Sequence, residues 1–201
     1  MIQLQIEVPI ACFRQSRARE FAETYLVPPP ATVYGMLLAL IGEWDRYRYT
    51  GTQLALALMS QPQQSTVIRT FRRFKSKDIG DPTNARPDYQ QLLTDVQILV
   101  LVKGTLADQL EQAFDHPESI VRSGGLSLGE SRDLVNAVTR VKDSLHSGQW
   151  LMQDQDGILT LPYWVDHVGS QGTRWRRYSL VSQVVSPSDP PELAWTEIQT
   201  A

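Results

Sequence analysis

Residues 96–114, VQILVLVKGTLADQLEQAF, join an apolar run to a helical repeat across a single glycine. Val96 to Val102 reads as a central strand with both faces buried. After the Gly104 turn, Leu106, Leu110 and Phe114 fall on one helix face, and Thr105 with Asp108 forms an approximate capping box. A strand here feeds directly into a helix. The amino-terminal segment repeats the pattern. Ile2, Leu4, Ile6, Val8 and Ile10 alternate with Gln3, Gln5 and Glu7, the period of a half-buried strand. A polar connection, FRQSRARE (residues 13–20), and a breaker run, VPPP (residues 27–30), follow. Val33, Met36, Leu37, Leu40 and Ile41 then recur at helical spacing.

Between these two units, Gln53 to Met59 and Ser65 to Phe74 read as extended, and Asp78 to Tyr89 reads as a polar, turn-rich connection. Beyond them lies the glycine-rich stretch VRSGGLSLGES (residues 121–131) and then DLVNAVTRV (residues 133–141). Leu134, Val138 and Val141 fit a helix, whereas Val135, Ala137, Thr139 and Val141 fit a strand; the β-branched content favours the strand. Trp150 to Met152 and Ile158 to Leu161, joined across DQDG, are expected to pair as a hairpin, with a last strand near Tyr178 to Val185. The resulting order is that of an α+β, ferredoxin-like (RRM-like) βαββαβ unit, the scaffold of RNA-recognition domains. It spans about residues 1–145, and a small carboxy-terminal β-hairpin region occupies 146–201.

With 201 residues, 42% hydrophobic and 20% charged, the chain has the composition of a globular domain rather than a disordered or fibrous one. Its only cysteine, Cys12, cannot form an internal disulfide. The start, MIQLQIEVPI, lacks the basic and apolar regions of a signal peptide, and no apolar run is long enough to span a bilayer. Cytoplasm is the expected compartment, with no membrane association. Asp154, Asp156 and Asp166 lack metal-ligand spacing, so no metal and no cofactor are expected.

The formal net charge is -3, yet fifteen of the 19 basic residues are arginines. Arginine's planar fork suits bidentate phosphate contacts and base stacking, although a GC-rich genome enriches it too. Three basic clusters stand out: Arg14, Arg17 and Arg19; the stretch TVIRTFRRFKSKD (residues 66–78); and Arg174, Arg176 and Arg177 around Trp175 and Tyr178. Cations interleaved with aromatic faces are what single-stranded nucleic acid requires, and the competing reading of each cluster is a solvated face with its aromatics turned inward. Because salt screens charge over about 8–10 Å, local patches outweigh the total. As a strand, 66–78 places Arg69, Arg73, Lys75 and Lys77 on one side with Phe71, and Arg72 on the other with Ile68 and Phe74. A strand basic on both sides fits a protruding ribbon better than a sheet interior, with Phe71 or Phe74 as a base-stacking wedge. The glycines of SGGLSLGES either bring backbone amides to a phosphate or make a tight turn, and no Walker motif is present. His116, His146 and His167 share no motif, and surface histidines without a role are the reading preferred over a general base.

The stretch FRQSRAREFAETYLVPPPATVYGMLLALIGE resembles the amino-terminal signature of the fifth family of CRISPR-associated proteins. The resemblance rests on P-x-T-V-x-G-x-L, present as Pro30, Thr32, Val33, Gly35 and Leu37, and on the later GGLSLGES loop. It implies a non-catalytic subunit of a type I RNA-guided surveillance complex (Cascade), which binds and caps the 5′ handle of the CRISPR RNA. Its implied partners are that RNA, the backbone subunit of the seventh family, the large subunit of the eighth family, and target DNA near the PAM through the complex. By the same resemblance, Arg14, Arg17 and Arg19 lie by the handle. A protruding β-hairpin thumb occupies about residues 64–92, lined by Arg69, Arg72, Arg73 and Lys75 with Phe71 and Phe74. Ser123, Gly124, Gly125 and Gly129 shape the loop against the RNA backbone. One branch of the family processes precursor RNA with a Tyr-Lys-His type of site. No such trio aligns here, which leaves a metal-independent endoribonuclease as the alternative. The short chain and the LGES loop look closest to type I-B relatives, including versions adopted by transposons.

Overall fold

The computed structural model describes residues 1–18, 21–72, 77–142, 145–166 and 172–200. Strand β1 (Ile2–Ala11) leads through the two-residue β2 (Phe21–Ala22) to helix α1 (Pro30–Leu40). Strands β3 (Gln53–Leu58), β4 (Gln63–Arg72) and β5 (Ala85–Lys103) precede helix α2 (Thr105–Asp115) and strand β6 (Ala137–Arg140). The chain ends with β7 (His146–Gln153), β8 (Leu159–Trp164), β9 (Arg174–Val185) and β10 (Trp195–Glu197). Among the described residues all the strands belong to one sheet, ordered β6-β1-β5-β3-β7-β9-β8. Its pairings are antiparallel except for the short β2 against β5. The fold is thus a mixed one, with one largely antiparallel sheet and two α-helices.

Alternation along the strands divides the interior in two. Ile2, Leu4 and Ile6 of β1 and Ile98, Val100 and Val102 of β5 pack with Val33 and Leu37 of α1 and Leu106 and Leu110 of α2. Leu99 and Leu101, pointing the opposite way from β5, pack with Ala55, Ala57 and Trp150. The reading of β5 as a strand buried on both faces holds for this half. Strands β7, β9 and β8 continue the sheet beyond β3, and Leu151, Leu161 and Tyr178 join the helix-side core. The sheet curls so far that Trp164 of β8 reaches Tyr34 of α1, ring centroids 6.4 Å apart.

That curl explains why α1 is buried on more than its expected face: Tyr34 and Leu38 are buried along with Val33, Met36 and Leu37. It also explains the sequence pattern at the helix start. Pro30 supplies the fixed φ favoured at the first helical position. Val33 and Leu37 are fully buried. Gly35 makes room for Arg46, whose guanidinium lies over the Tyr34 and Trp164 rings at 5.8 and 5.6 Å. A Cβ at Gly35 would sit 3.1 Å from Arg46 Nη1.

Three expectations are corrected. Residues 85–89 are not a turn but the start of β5, drawn into the sheet by β4 through pairs such as Arg72 with Ala85 and Ile68 with Tyr89. Gly104, at φ 99°, begins α2 and no side chain caps it, so Thr105 and Asp108 form no capping box. The strands flanking DQDG do not pair with each other, because β9 lies between β7 and β8 and pairs with both.

Strand β5 thus has two lives. From Leu93 to Val102 it pairs with β1 in the body of the sheet, and from Ala85 to Thr94 it pairs with β4 as a two-stranded ribbon. Asp95, at φ 59°, stands where one passes into the other. The left-handed region is costly for any residue with a Cβ and most costly for a β-branched one. Asp95→Val is therefore expected to lower unfolding free energy by about 1–2 kcal/mol, while Asp95→Gly keeps or raises it; equal losses in urea denaturation of the two variants would contradict this role.

Candidate nucleic-acid interface

The chain leaves β1 through a short antiparallel loop that folds back on residues 23–25. Phe13 N–H donates to Thr24 Oγ1 at 2.9 Å, and Tyr25 N–H donates to the Phe13 carbonyl at 2.8 Å. Gln15 N–H donates to the Glu23 carbonyl at 2.9 Å. Arg14 and Arg17 are exposed on this loop, and Arg14 Nη2 donates to the Ala18 carbonyl at 2.9 Å. Arg19 lies outside the described residues.

The glycine-rich loop docks on the end of β1 through one buried carboxylate. Asp133 is 4% exposed, and its Oδ2 accepts the Cys12 and Glu130 backbone N–H groups, each at 2.8 Å. Burial pushes its carboxyl above the ordinary value and the Glu130 charge adds to this, while the two backbone donors and Arg132 act in the opposite sense. Gly129 has φ 118°, and a Cβ there would stand 2.6 Å from Asp133 Oδ2 and 3.0 Å from the Cys12 carbonyl oxygen. Both the backbone conformation and the close approach demand glycine. At Gly129 the tight-turn reading therefore holds. Ser123, Gly124 and Gly125 are exposed further along the same loop, with Gly124 at φ 81° and open space around it.

The base of the β4–β5 ribbon meets the same place. Gln90 is completely buried beside the Cys12 thiol, whose pKa burial pushes up. Arg132 donates to Gln90 Oε1 and pairs with Glu130 at 2.8 Å. Thr24 N–H donates to Gln91 Oε1 at 3.0 Å, and Phe21 packs edge-on against Tyr89. Three segments distant in sequence, 12–25, 89–91 and 129–133, thus form one junction.

Out on the ribbon, Arg69 pairs with Asp88 directly across the hairpin at 2.5 Å. Its guanidinium lies 5.0 Å from the centre of the Phe71 ring, the contact expected of residues two apart on a strand. Arg69 is accordingly charge-matched within the ribbon. Phe71 and Ile68 are 51% and 69% exposed, respectively, on opposite sides of it. Arg72 ends β4, and Arg73, Phe74 and Lys75 lie outside the described residues.

A cleft of about 420 Å³ opens beside the junction, between Arg14 and Ser16 of the β1 loop, Gly129 and Glu130, and Pro162 and Trp175 of β8 and β9. A second, of about 520 Å³, continues from Ser16, Arg17 and Tyr25 to Ile158 and Leu159. Arg14 and Arg17 of the first basic cluster and Trp175 of the third, distant in sequence, therefore line a common space, whereas Arg176 lies over the Tyr163 ring and Arg177 donates to the Gln155 carbonyl. Sequence reasoning missed Asp133 and Gln90, whose roles depend on partners far along the chain. It noticed Trp175 only as an aromatic among cations, and passed over Tyr25. Among the described residues, no group of three or more His, Cys, Asp or Glu side chains could hold a metal ion. No described helix is long and apolar enough to cross a membrane.

The Asp133 clasp has a pH signature. With its value raised above the ordinary 3.8, the folded chain retains a proton over a range where the unfolded chain has lost it, so this group makes stability fall as pH rises through that range. Asp133→Asn keeps an acceptor and is expected to remove that slope in urea titrations from about pH 4 to 7. Asp133→Ala strands two buried donors and is expected to cost about 2–4 kcal/mol; an alanine variant as stable as the parent would contradict the clasp.

A family model described as CRISPR-associated protein (Cas_Cas5) matches residues 1–153. A CRISPR-associated protein Cas5 from Myxococcus xanthus (strain DK1622) is 40% identical over 199 residues, covering 93% of each chain. A chain of a CRISPR RNA-guided surveillance complex is similar in structure at a TM-score of 0.64 and 16% identity, over 96% of this chain and 95% of that one. A chain described as the crystal structure of a Cas protein gives 0.52 at 14% identity, over 95% of this chain and 97% of that one. The two structural likenesses speak to the fold alone. The family model and the Myxococcus relative, each spanning most of the sequence, establish that this chain belongs to the Cas5 family of CRISPR-associated proteins.

Proposed function

We propose that this protein is a non-catalytic subunit of a type I, I-B-like Cascade, which binds and caps the 5′ handle of the CRISPR RNA. In this reading it also bridges the backbone subunits of the seventh family to the large, PAM-reading subunit of the eighth, and works in the cytoplasm. The observation that carries the proposal is the junction, at which the basic loop after β1, the root of the ribbon and the glycine-rich loop meet. Strands β6, β1, β5 and β3, with α1 and α2 in the connections, are read as the ferredoxin-like scaffold. The β4–β5 ribbon is the thumb that departs from it. Arg14 and Arg17 supply exposed cations next to the junction, and the exposed Phe71 and Ile68 supply stacking or packing surface on the thumb.

The non-catalytic part of the reading is supported by the dispersal of the groups that RNA cleavage would need. His116 ends α2 beside Glu118 at 3.4 Å, His146 opens β7, and Lys103 stacks on Trp195 at 3.9 Å. Among the described residues these sit on separate elements, away from the cleft lining, and His167 lies outside the described residues.

Handle-containing RNA is expected to bind in preference to a scrambled RNA in filter-binding titrations with the backbone subunit present. Affinity should fall as salt rises, because phosphate contacts release counterions. Arg14→Glu with Arg17→Glu should flatten the log–log salt slope by about 0.7 for each lost contact. Absence of any preference for the handle would remove the proposal. Labelled repeat RNA incubated with the purified chain in EDTA is expected to stay intact, and its cleavage would transfer the reading to the endoribonuclease.

A further inference from the structure

We infer that Trp175 is a stacking platform for an unpaired base of a single-stranded RNA, held in the groove between the β1 loop and the β8–β9 strands. The inference rests on the RNA-binding reading above and assigns to the carboxy-terminal strands a part in it. The two clefts, about 420 and 520 Å³, share Ser16, Tyr25 and Trp175, and so form one groove with an aromatic midpoint. Each chamber falls in the range of about 300–1,000 Å³ that accommodates small-molecule-sized groups such as a base. Trp175 is 41% exposed although it stands in a paired strand, opposite Pro162 of β8. Its indole is thereby fixed in position by the sheet while a face remains open.

The walls of the groove differ in character. On the strand side are Pro162 and Val165 in the near chamber and Ile158, 88% exposed, in the far one. Facing them across the groove are the cations Arg14 and Arg17. An apolar and aromatic wall opposite a basic one is the arrangement that stacks bases on one side and holds phosphates on the other. The two cations that follow Trp175 along β9 are engaged within the fold. The Arg176 guanidinium lies 4.7 Å over the Tyr163 ring, and Arg177 Nη1 donates to the Gln155 carbonyl at 2.7 Å. Glu130, which lines the near chamber and pairs with Arg132 at 2.8 Å, offers a carboxylate acceptor to a base edge. The phosphates of the RNA are then expected along the Arg14 and Arg17 side.

The test uses the full-length chain and a fluorescent single-stranded RNA bearing the handle sequence of its own repeat. In anisotropy titrations Trp175→Ala should weaken binding roughly five- to a hundred-fold, the range of one lost base stack, and Trp175→Phe should recover most of it. Ultraviolet crosslinking of the same RNA carrying 5-iodouridine should label the peptide that contains Trp175. Unfolding midpoints of both variants close to that of the parent exclude a folding defect. If the parent binds and Trp175→Ala binds equally well, the platform is refuted while the RNA-binding reading stands. If the parent binds no RNA, both fall. A Trp175→Ala chain that keeps its RNA affinity but loses its partner subunits in pull-downs would overturn the inference and give the groove to a protein segment.

Discussion

The Asp133 carboxylate, which holds the backbone amides of Cys12 and Glu130, is the interaction on which the arrangement of surface segments distant in sequence depends. Neither segment it joins is a regular element at that point: one is the exit from β1 and the other a loop rich in glycine. Backbone donors that leave a sheet edge must find partners, and a buried carboxylate with two of them satisfies both sides at once. Gly129 permits the approach because any side chain there would strike Asp133 or the Cys12 carbonyl. Through Arg132 and Gln90 the same clasp reaches the root of the β4–β5 ribbon. One side chain thus sets the relation between a basic loop, a glycine-rich loop and a thumb.

Electrostatics follow from this local geometry rather than from the total charge. The chain is net acidic, and several of its arginines are occupied within the fold. Arg69 is matched by Asp88, Arg140 by Glu111 and Asp115, and Arg132 by Glu130. Arg46 is spent between Tyr34 and Trp164, where it supports the helix start. Arg14 and Arg17 of the β1 loop line open space, and the curl of the sheet around α1 carries Pro162 and Trp175 of β8 and β9 to the same space. A segment that reads as an appendage in sequence becomes half of a groove.

Much of the framework was legible in sequence because its signals are local. Alternation marked β1, helical spacing marked α1 and α2, β-branched content marked β6, and the motif from Pro30 to Leu37 marked the family. Features that rest on distant partners were not legible. Residues 85–89 contain Pro87 and Asp88, poor strand formers, and become a strand only because β4 pairs with them. The placement of β9 between β7 and β8 leaves no trace in the spacing of either. Asp133 lies 121 residues from Cys12, and no local pattern distinguishes it from an ordinary acid in a polar loop. Residues 66–72 of the basic finger form the β4 side of the ribbon, yet the matching of Arg69 by Asp88 depends on a cross-strand register that sequence alone does not reveal.

The central claim is that the β1 loop, the ribbon root and the glycine-rich loop act as one RNA-facing unit. Backbone hydrogen exchange, measured with and without handle RNA, tests it directly. The account predicts that protection appears together in residues 12–17, 89–91 and 126–134 at a single RNA concentration dependence. Protection confined to the ribbon, with the two loops exchanging as in the free chain, would contradict it.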